Sequence, residues 1–273
     1  MHKRIRDRWL LNLGLLAAVI LLSIALLIDR EKQQPVEQTL ATILPTDINK
    51  IRIVRSGKAD IQFEKRADTW LMTAPYTIKA DPVQVDNLLS IRLLRINTEL
   101  DSPSLELSEF GLQTPHSALE LNNTRINFGD TQPVDSQRYL LLNDKVMLVN
   151  DTMQELLNTS SLSFIDRQLV PVGTAIKAVR VNNQPVDLLS AWADTRAIWI
   201  SLYAGDKIEG IPVEIQLKNE STTINFHLQK READAVLIRD EPKIEYHISH
   251  STMQTLGLGP ASEPADSNND PDQ

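Results

Sequence analysis

The 273-residue sequence contains no cysteine, which excludes disulfides, thiolate metal sites, cysteine nucleophiles and lipid attachment through a cysteine. Aromatic residues make up only 5% and glycines number nine. None of those glycines forms a phosphate-cradling loop, a dinucleotide fingerprint or a Gly-x-Ser-x-Gly elbow, and no His-Glu-x-x-His run is present. Positive charge is also scarce: 28 Lys and Arg stand against 36 Asp and Glu, a formal net charge of -8. Binding to a phosphate backbone needs a basic face, so nucleic acid is excluded as a partner. The length suits one large domain or two small ones.

Apolar residues are unevenly spread. Between Trp9 and Ile28, thirteen of twenty residues are Leu, Ile or Val and none is charged. At about 1.5 Å per residue a helix of this length spans roughly 30 Å, the thickness of a bilayer's hydrocarbon core. Lys3, Arg4, Arg6 and Arg8 precede it against the single acid Asp7, whereas Asp29, Arg30, Glu31 and Lys32 cancel after it. That asymmetry predicts a single-pass anchor over 9–28 in a bacterial inner membrane, with a basic cytoplasmic segment over 1–8 and the remainder periplasmic. A cleaved signal has a shorter apolar stretch ending in small residues. Here Ser23-Ile24-Ala25 is followed by three more large apolar residues.

Beyond the anchor 24 basic residues face 35 acidic ones, so the ectodomain is more acidic than the whole chain and is repelled by anionic headgroups. Residues 29–45, with Gln33, Gln34, Pro35, Gln38 and Pro45, read as a stalk. Residues 260–273 hold four acids and three prolines without a large apolar side chain. This composition cannot repay its ordering entropy and predicts a disordered acidic tail.

Between stalk and tail the hydrophobic period is two. Ile51-Arg52-Ile53, Ile61-Gln62-Phe63, Leu119-Glu120-Leu121, Val213 to Leu217, Ile224 to Leu228 and Ile244 to Ile248 alternate apolar with polar residues, the pattern of half-buried antiparallel strands. Helices are few. Asp81-Pro82 supplies an N-cap acceptor and a first-turn proline, and Val85, Leu89, Leu93 and Ile96 follow at helical spacing. Ile91 and Leu94 fall off that stripe, so the helix is either covered on two sides or ends early. Shorter helices are expected after Asp151 and after Ser251. The fold class is therefore α+β: a transmembrane helix, then a mainly antiparallel, β-rich ectodomain.

Three ordered blocks echo one another. Arg125-Ile126-Asn127-Phe128 matches Thr223-Ile224-Asn225-Phe226, Thr152-Met153-Gln154 matches Thr252-Met253-Gln254, and Ile48 to Ile53 matches Ile176 to Val181. Two related repeats are expected, 46–167 and a shortened 168–259. The second lacks the counterpart of the stretch from Trp70 through the Asp81 helix.

Trp70, Pro75, Ala80-Asp81-Pro82, the leucine-rich helix, Phe110-Gly111-Leu112, Pro115, Phe128-Gly129, Tyr139 and Val146 to Val149 run in a distinctive order. In this the sequence resembles the bacterial domain-of-unknown-function family 4340, most closely over residues 46–160. The resemblance implies a membrane-anchored extracytoplasmic α+β protein, often encoded near ABC-type transporter components similar to those of gliding-motility systems. It carries over no catalytic residue. The motif residues themselves have structural readings: Asp81 as a helix cap, Gly111 as a turn terminator with Leu112 packed behind it, and Gly129 as a turn or bulge glycine.

No catalytic, cofactor-binding or metal-ligating set emerges. His247 and His250 are the only close histidine pair, and strand geometry points them apart, so both read as ordinary solvated histidines. The expected function is a non-enzymatic, membrane-anchored interaction or binding module, accessory to an ABC-type transport or cell-envelope system and partnered by its transporter subunits. The alternative is an envelope hydrolase using paired carboxylates.

Overall fold

The computed structural model describes residues 38–101, 105–218, 223–231 and 234–259, together with Val19, Ile20 and Ser23. Most of the anchor over 9–28, residues 1–8, the first part of the stalk and the tail over 260–273 lie outside the described residues. Among the described residues no helix is long and apolar enough to cross a membrane.

Alternating sequence becomes two antiparallel sheets. The first is built from β1 (Lys50–Arg55), β2 (Ile61–Arg66), β3 (Thr69–Ala74), β4 (Ile78–Lys79), β5 (Ile96–Asp101), β6 (Ser117–Leu121), β7 (Thr124–Thr131), β8 (Arg138–Leu142) and β9 (Lys145–Val149). Its spatial order is β4-β3-β2-β1-β6-β7-β8-β9-β5. The second contains β10 (Ile176–Val181), β11 (Gln184–Val186), β12 (Trp199–Leu202), β13 (Ile211–Leu217), β14 (Thr223–Lys230), β15 (Ala235–Arg239) and β16 (Ile244–Ile248). Its order is β11-β10-β13-β14-β15-β16-β12. With β3 and β4 set aside, the two orders correspond strand for strand.

Among the described residues after Gln38, short α-helices accompany the sheets: α1 (Pro82–Leu89), α2 (Gln154–Asn158), α3 (Leu189–Asp194) and α4 (His250–Thr255). Here α3 lies between β11 and β12 as α1 lies between β4 and β5. The second sheet therefore has a helix at the corresponding place in the chain and no strands in the positions of β3 and β4.

Asp81 caps α1 as its sequence position requires, accepting a hydrogen bond from Val83 N at 3.0 Å. Of the two outcomes that Ile91 and Leu94 left open, the helix takes the early end, at Leu89. It gives way to a 3-10 turn over Ser90–Leu93, and with three residues per turn the buried positions become Val85, Leu88 and Ile91, while Leu93 is 74% exposed. The α4 cap is Ser249, two residues before Ser251, and Asp151 caps the turn before α2 by accepting from Met153 N at 2.7 Å. Gln38–Pro45, read as stalk, packs onto the fold: Leu40 and Leu44 are buried, Leu40 N bonds Leu94 O at 3.0 Å and Gln38 O accepts from Ile96 N at 2.8 Å.

Gly111 ends its turn in the left-handed region with φ 65°. Gly129 sits at a register irregularity of β7, where a Cβ would lie 2.2 Å from Phe110 O. Only glycine admits that approach.

The sheets are tied by a strap, residues 165–169. On one side Ala80 bridges Ile165, Asp81 N bonds Phe164 O at 2.7 Å, and Asp166 N bonds Lys79 O at 3.0 Å. On the other, Gln168 bridges Arg196, and Ala197 N and Leu169 N bond Arg167 O and Thr195 O at 2.8 and 3.2 Å. Phe164, Ile165, Leu169 and Val170 join the apolar inner faces of both sheets into one contiguous core that also holds Trp192.

Candidate functional site

A groove runs beside α1 and reaches the junction of the two sheets. One compartment, of about 510 Å³, is lined by Gln84, Asn87 and Ser90 of α1 and its following turn, by Thr152, Met153, Glu155 and Leu156 around α2, and by Thr159 and Ser163. The next, of about 380 Å³, continues from Gln84 and Ser163 past Asp81, Ser160 and Leu162 to Arg167 and Ile198–Ile200. Gln84 and Ser163 line both, so the two form one trough. These volumes fall within the range of small-ligand sites.

The α1 wall follows from helix geometry. Val85 and Leu88 turn into the core, which sets Gln84 and Asn87, three residues apart, together on the other side. Charge along the trough is mostly committed. Asp81 is paired with Arg196 at 2.6 Å, and Arg167 NH1 donates to Ile198 O at 2.8 Å. The neutral amides and hydroxyls dominate what remains.

The far end is β12, an edge strand paired only with β16 among the described residues. Tyr203 N bonds Lys243 O at 3.2 Å and the ladder matches Trp199 with His247 and Ser201 with Glu245. Alternation of hydrogen-bonded pairs therefore turns the backbone groups of Ile200 and Leu202 away from β16, toward the open edge. Ile198, Trp199 and Leu202 are exposed large hydrophobics at 56%, 51% and 49%.

Trp199 is held flat by what lies beneath it. Its indole stacks on His247 with ring centroids 3.4 Å apart and planes 12° from parallel. His247 is buried at 3% exposure, which corrects the solvated reading. Its Nδ1 lies 2.6 Å from Asp234 Oδ2 and its Nε2 lies 2.9 Å from Ser201 Oγ and 3.2 Å from Glu245 Oε2. Arg231 donates to Glu245 Oε1 at 2.6 Å. Burial opposes ionisation of Glu245, but hydrogen bonds from Arg231 and Ser201, with the nearby charges of Arg231 and His247, outweigh it and hold the carboxyl below its ordinary value. Glu245 in turn holds the Arg231 guanidinium in its charged form, chiefly through their hydrogen bond.

Ser201, His247 and Asp234 stand at the spacing of a nucleophile, base and orienting acid. The hydroxyl proton is directed elsewhere, because Ser201 Oγ donates to Glu245 Oε2 at 2.6 Å. A carboxylate at that distance disfavours an alkoxide, and both ring nitrogens face acceptors. The cluster lies beneath the Trp199 indole, which stacks on its His247. His250, on α4, takes no part in it, and among the described residues no group of three or more His, Asp or Glu is placed to hold a metal ion.

The chain matches the family described as Domain of unknown function (DUF4340) over residues 70–246, about two thirds of its length. The chain belongs to this family. The DUF4340 match begins at Trp70 in β3 and ends at Tyr246 in β16, so it takes in strands of both sheets and all the residues of the trough. It reaches further into the second sheet than the ordered motifs of 46–160 suggested. No curated protein and no solved structure matches the chain.

No trough residue was legible as a binding residue: Asp81 stood out in the sequence as a helix cap, and Thr152 and Met153 as part of an internal echo. Gln84, Ser163 and Trp199 come from three separate stretches of chain and belong to no spacing motif.

Proposed function

We propose that the protein is a single-pass, membrane-tethered extracytoplasmic binding module, accessory to an ABC-type transport or envelope system, that engages its partner through the trough at the sheet junction. The observation that carries this reading is the continuity of the two compartments through Gln84 and Ser163, ending at the Trp199 platform and the open edge of β12. An exposed tryptophan whose pose is already fixed loses little freedom on binding, which favours it as an anchor. The uncharged stretch over 9–28 and its basic N-terminal flank support the tether.

We also infer that the two sheets descend from one duplicated unit. Their matching strand order supports this, as does the sequence echo, whose paired blocks fall on β1 and β10, on β7 and β14, and at α2 and α4. Only the first unit supplies the α1 and α2 walls of the trough, so the halves differ in role. The alternative of a hydrolase with paired carboxylates would draw on Asp234 and Glu245, whose oxygens are engaged by His247, Ser201 and Arg231.

The test is photo-crosslinking in native membranes from a benzophenone side chain placed at Ser163, with Val134, 83% exposed and outside the trough lining, as the control position. A discrete adduct at Ser163 and none at Val134 is expected. Equal adducts at both positions, or none at either, would overturn the reading.

A further inference from the structure

We infer that the trough takes a neutral, hydroxyl-rich oligosaccharide strand. This rests on the reading of the trough as a binding surface and names the ligand chemistry that its lining fits.

The argument is a matching of hydrogen-bonding groups. A sugar hydroxyl both donates and accepts, and its natural counterparts are side chains that do the same: the amides of Asn and Gln and the hydroxyls of Ser and Thr. Gln84, Asn87, Ser90, Thr152, Thr159 and Ser163 are all of this kind. Gln84 and Asn87 spend their amides on no other protein group among the described residues. Thr159 and Ser163 lie 3.3 Å apart, with either hydroxyl able to donate, so their donor and acceptor roles can adapt to a ligand.

The charges exclude the competing chemistries. An anionic ligand needs cations and a cationic one needs carboxylates. Asp81 is neutralised by Arg196, and the lining charges without an ion pair are Glu155 in one compartment and Arg167 in the other, opposite in sign. The trough has no net charge to offer. Its apolar lining, Met153 and Leu156 in one compartment and Leu162, Ile198 and Ile200 in the other, is interleaved with these polar groups and can meet the C–H faces of sugar rings. Trp199, stacked on His247 on one side and 51% exposed, leaves its other face open as a flat platform.

The experiment titrates the purified full chain in detergent with chitotetraose and, separately, with an uncharged extended octapeptide, by isothermal calorimetry. Saturable binding of chitotetraose is expected. The double variant Gln84→Ala, Asn87→Ala should bind roughly thirtyfold more weakly, since each of the two uncharged hydrogen bonds lost contributes about 1 kcal/mol net. Its melting temperature should match that of the parent, because neither side chain is buried. Ser163→Tyr, which fills the trough without removing an amide, should also abolish binding. Binding of the peptide but not the saccharide overturns the saccharide assignment and leaves the binding-module reading standing. Saccharide binding that is insensitive to all three substitutions overturns it as well, by locating the site elsewhere. Binding of neither probe overturns it too, and the crosslink from Ser163 then decides the binding-module reading by itself.

Discussion

Glu245 has three side-chain partners. It lies on the outer face of β16, accepts from Ser201 and Arg231, and faces the Nε2 of His247. Its carboxyl ionises more readily in the folded chain than in the unfolded one, where the ordinary value is about 4.3. The stabilisation is therefore complete above about pH 4.3 and is lost as pH falls through the lower folded value. Glu245→Gln is expected to cost about 1–2 kcal/mol at pH 7, the half-exposed Arg231 keeping the figure modest. Urea denaturation at pH 7 and pH 3 checks this: the gap between parent and variant should narrow at pH 3, and an equal gap at both would contradict it. Alternation in Ile244-Glu245-Tyr246-His247-Ile248 placed Glu245 and His247 on one face, as observed. That this face is also buried was illegible, because its cover comes from Trp199 and Ser201, which reach β16 only through a pairing more than forty residues distant in sequence.

Among the elements, α1 joins the two sheets as well as walling the trough. Asp81 caps it, donates its backbone N–H to Phe164 O and pairs with Arg196 just before β12. Asp81→Ala should destabilise the fold by about 1–2 kcal/mol through loss of the cap. Asp81→Asn keeps a capping oxygen and should cost less than half as much, the remainder reporting the half-exposed pair with Arg196. Chemical denaturation of both variants tests the division, and equal losses would show that the cap contributes nothing. The start of α1 was plain in Asp81-Pro82, and six of the sixteen strands were plain in their period of two. The phase of the helix was not, because the change to a 3-10 turn at Ser90 shifts the buried positions from spacing four to spacing three. Residues such as Leu40 and Leu44 were lost to view in a polar, proline-bounded stretch, since only tertiary packing shows them buried.

For the whole molecule, the family membership and the two-sheet, mainly antiparallel architecture agree with the composition and periodicity of the sequence. The trough does not announce itself there, because it is assembled from ordinary polar residues that the strap over 165–169 brings together. The absence of cysteine makes it directly testable, since single cysteines can be introduced without background. The deciding measurement is the rate of maleimide labelling of Asn87→Cys relative to Val134→Cys, taken once in native membranes and once on the purified full chain. If the trough is a partner's seat, the ratio should fall several-fold in membranes, where the partner shields position 87 and leaves position 134 open. An unchanged ratio would contradict the account.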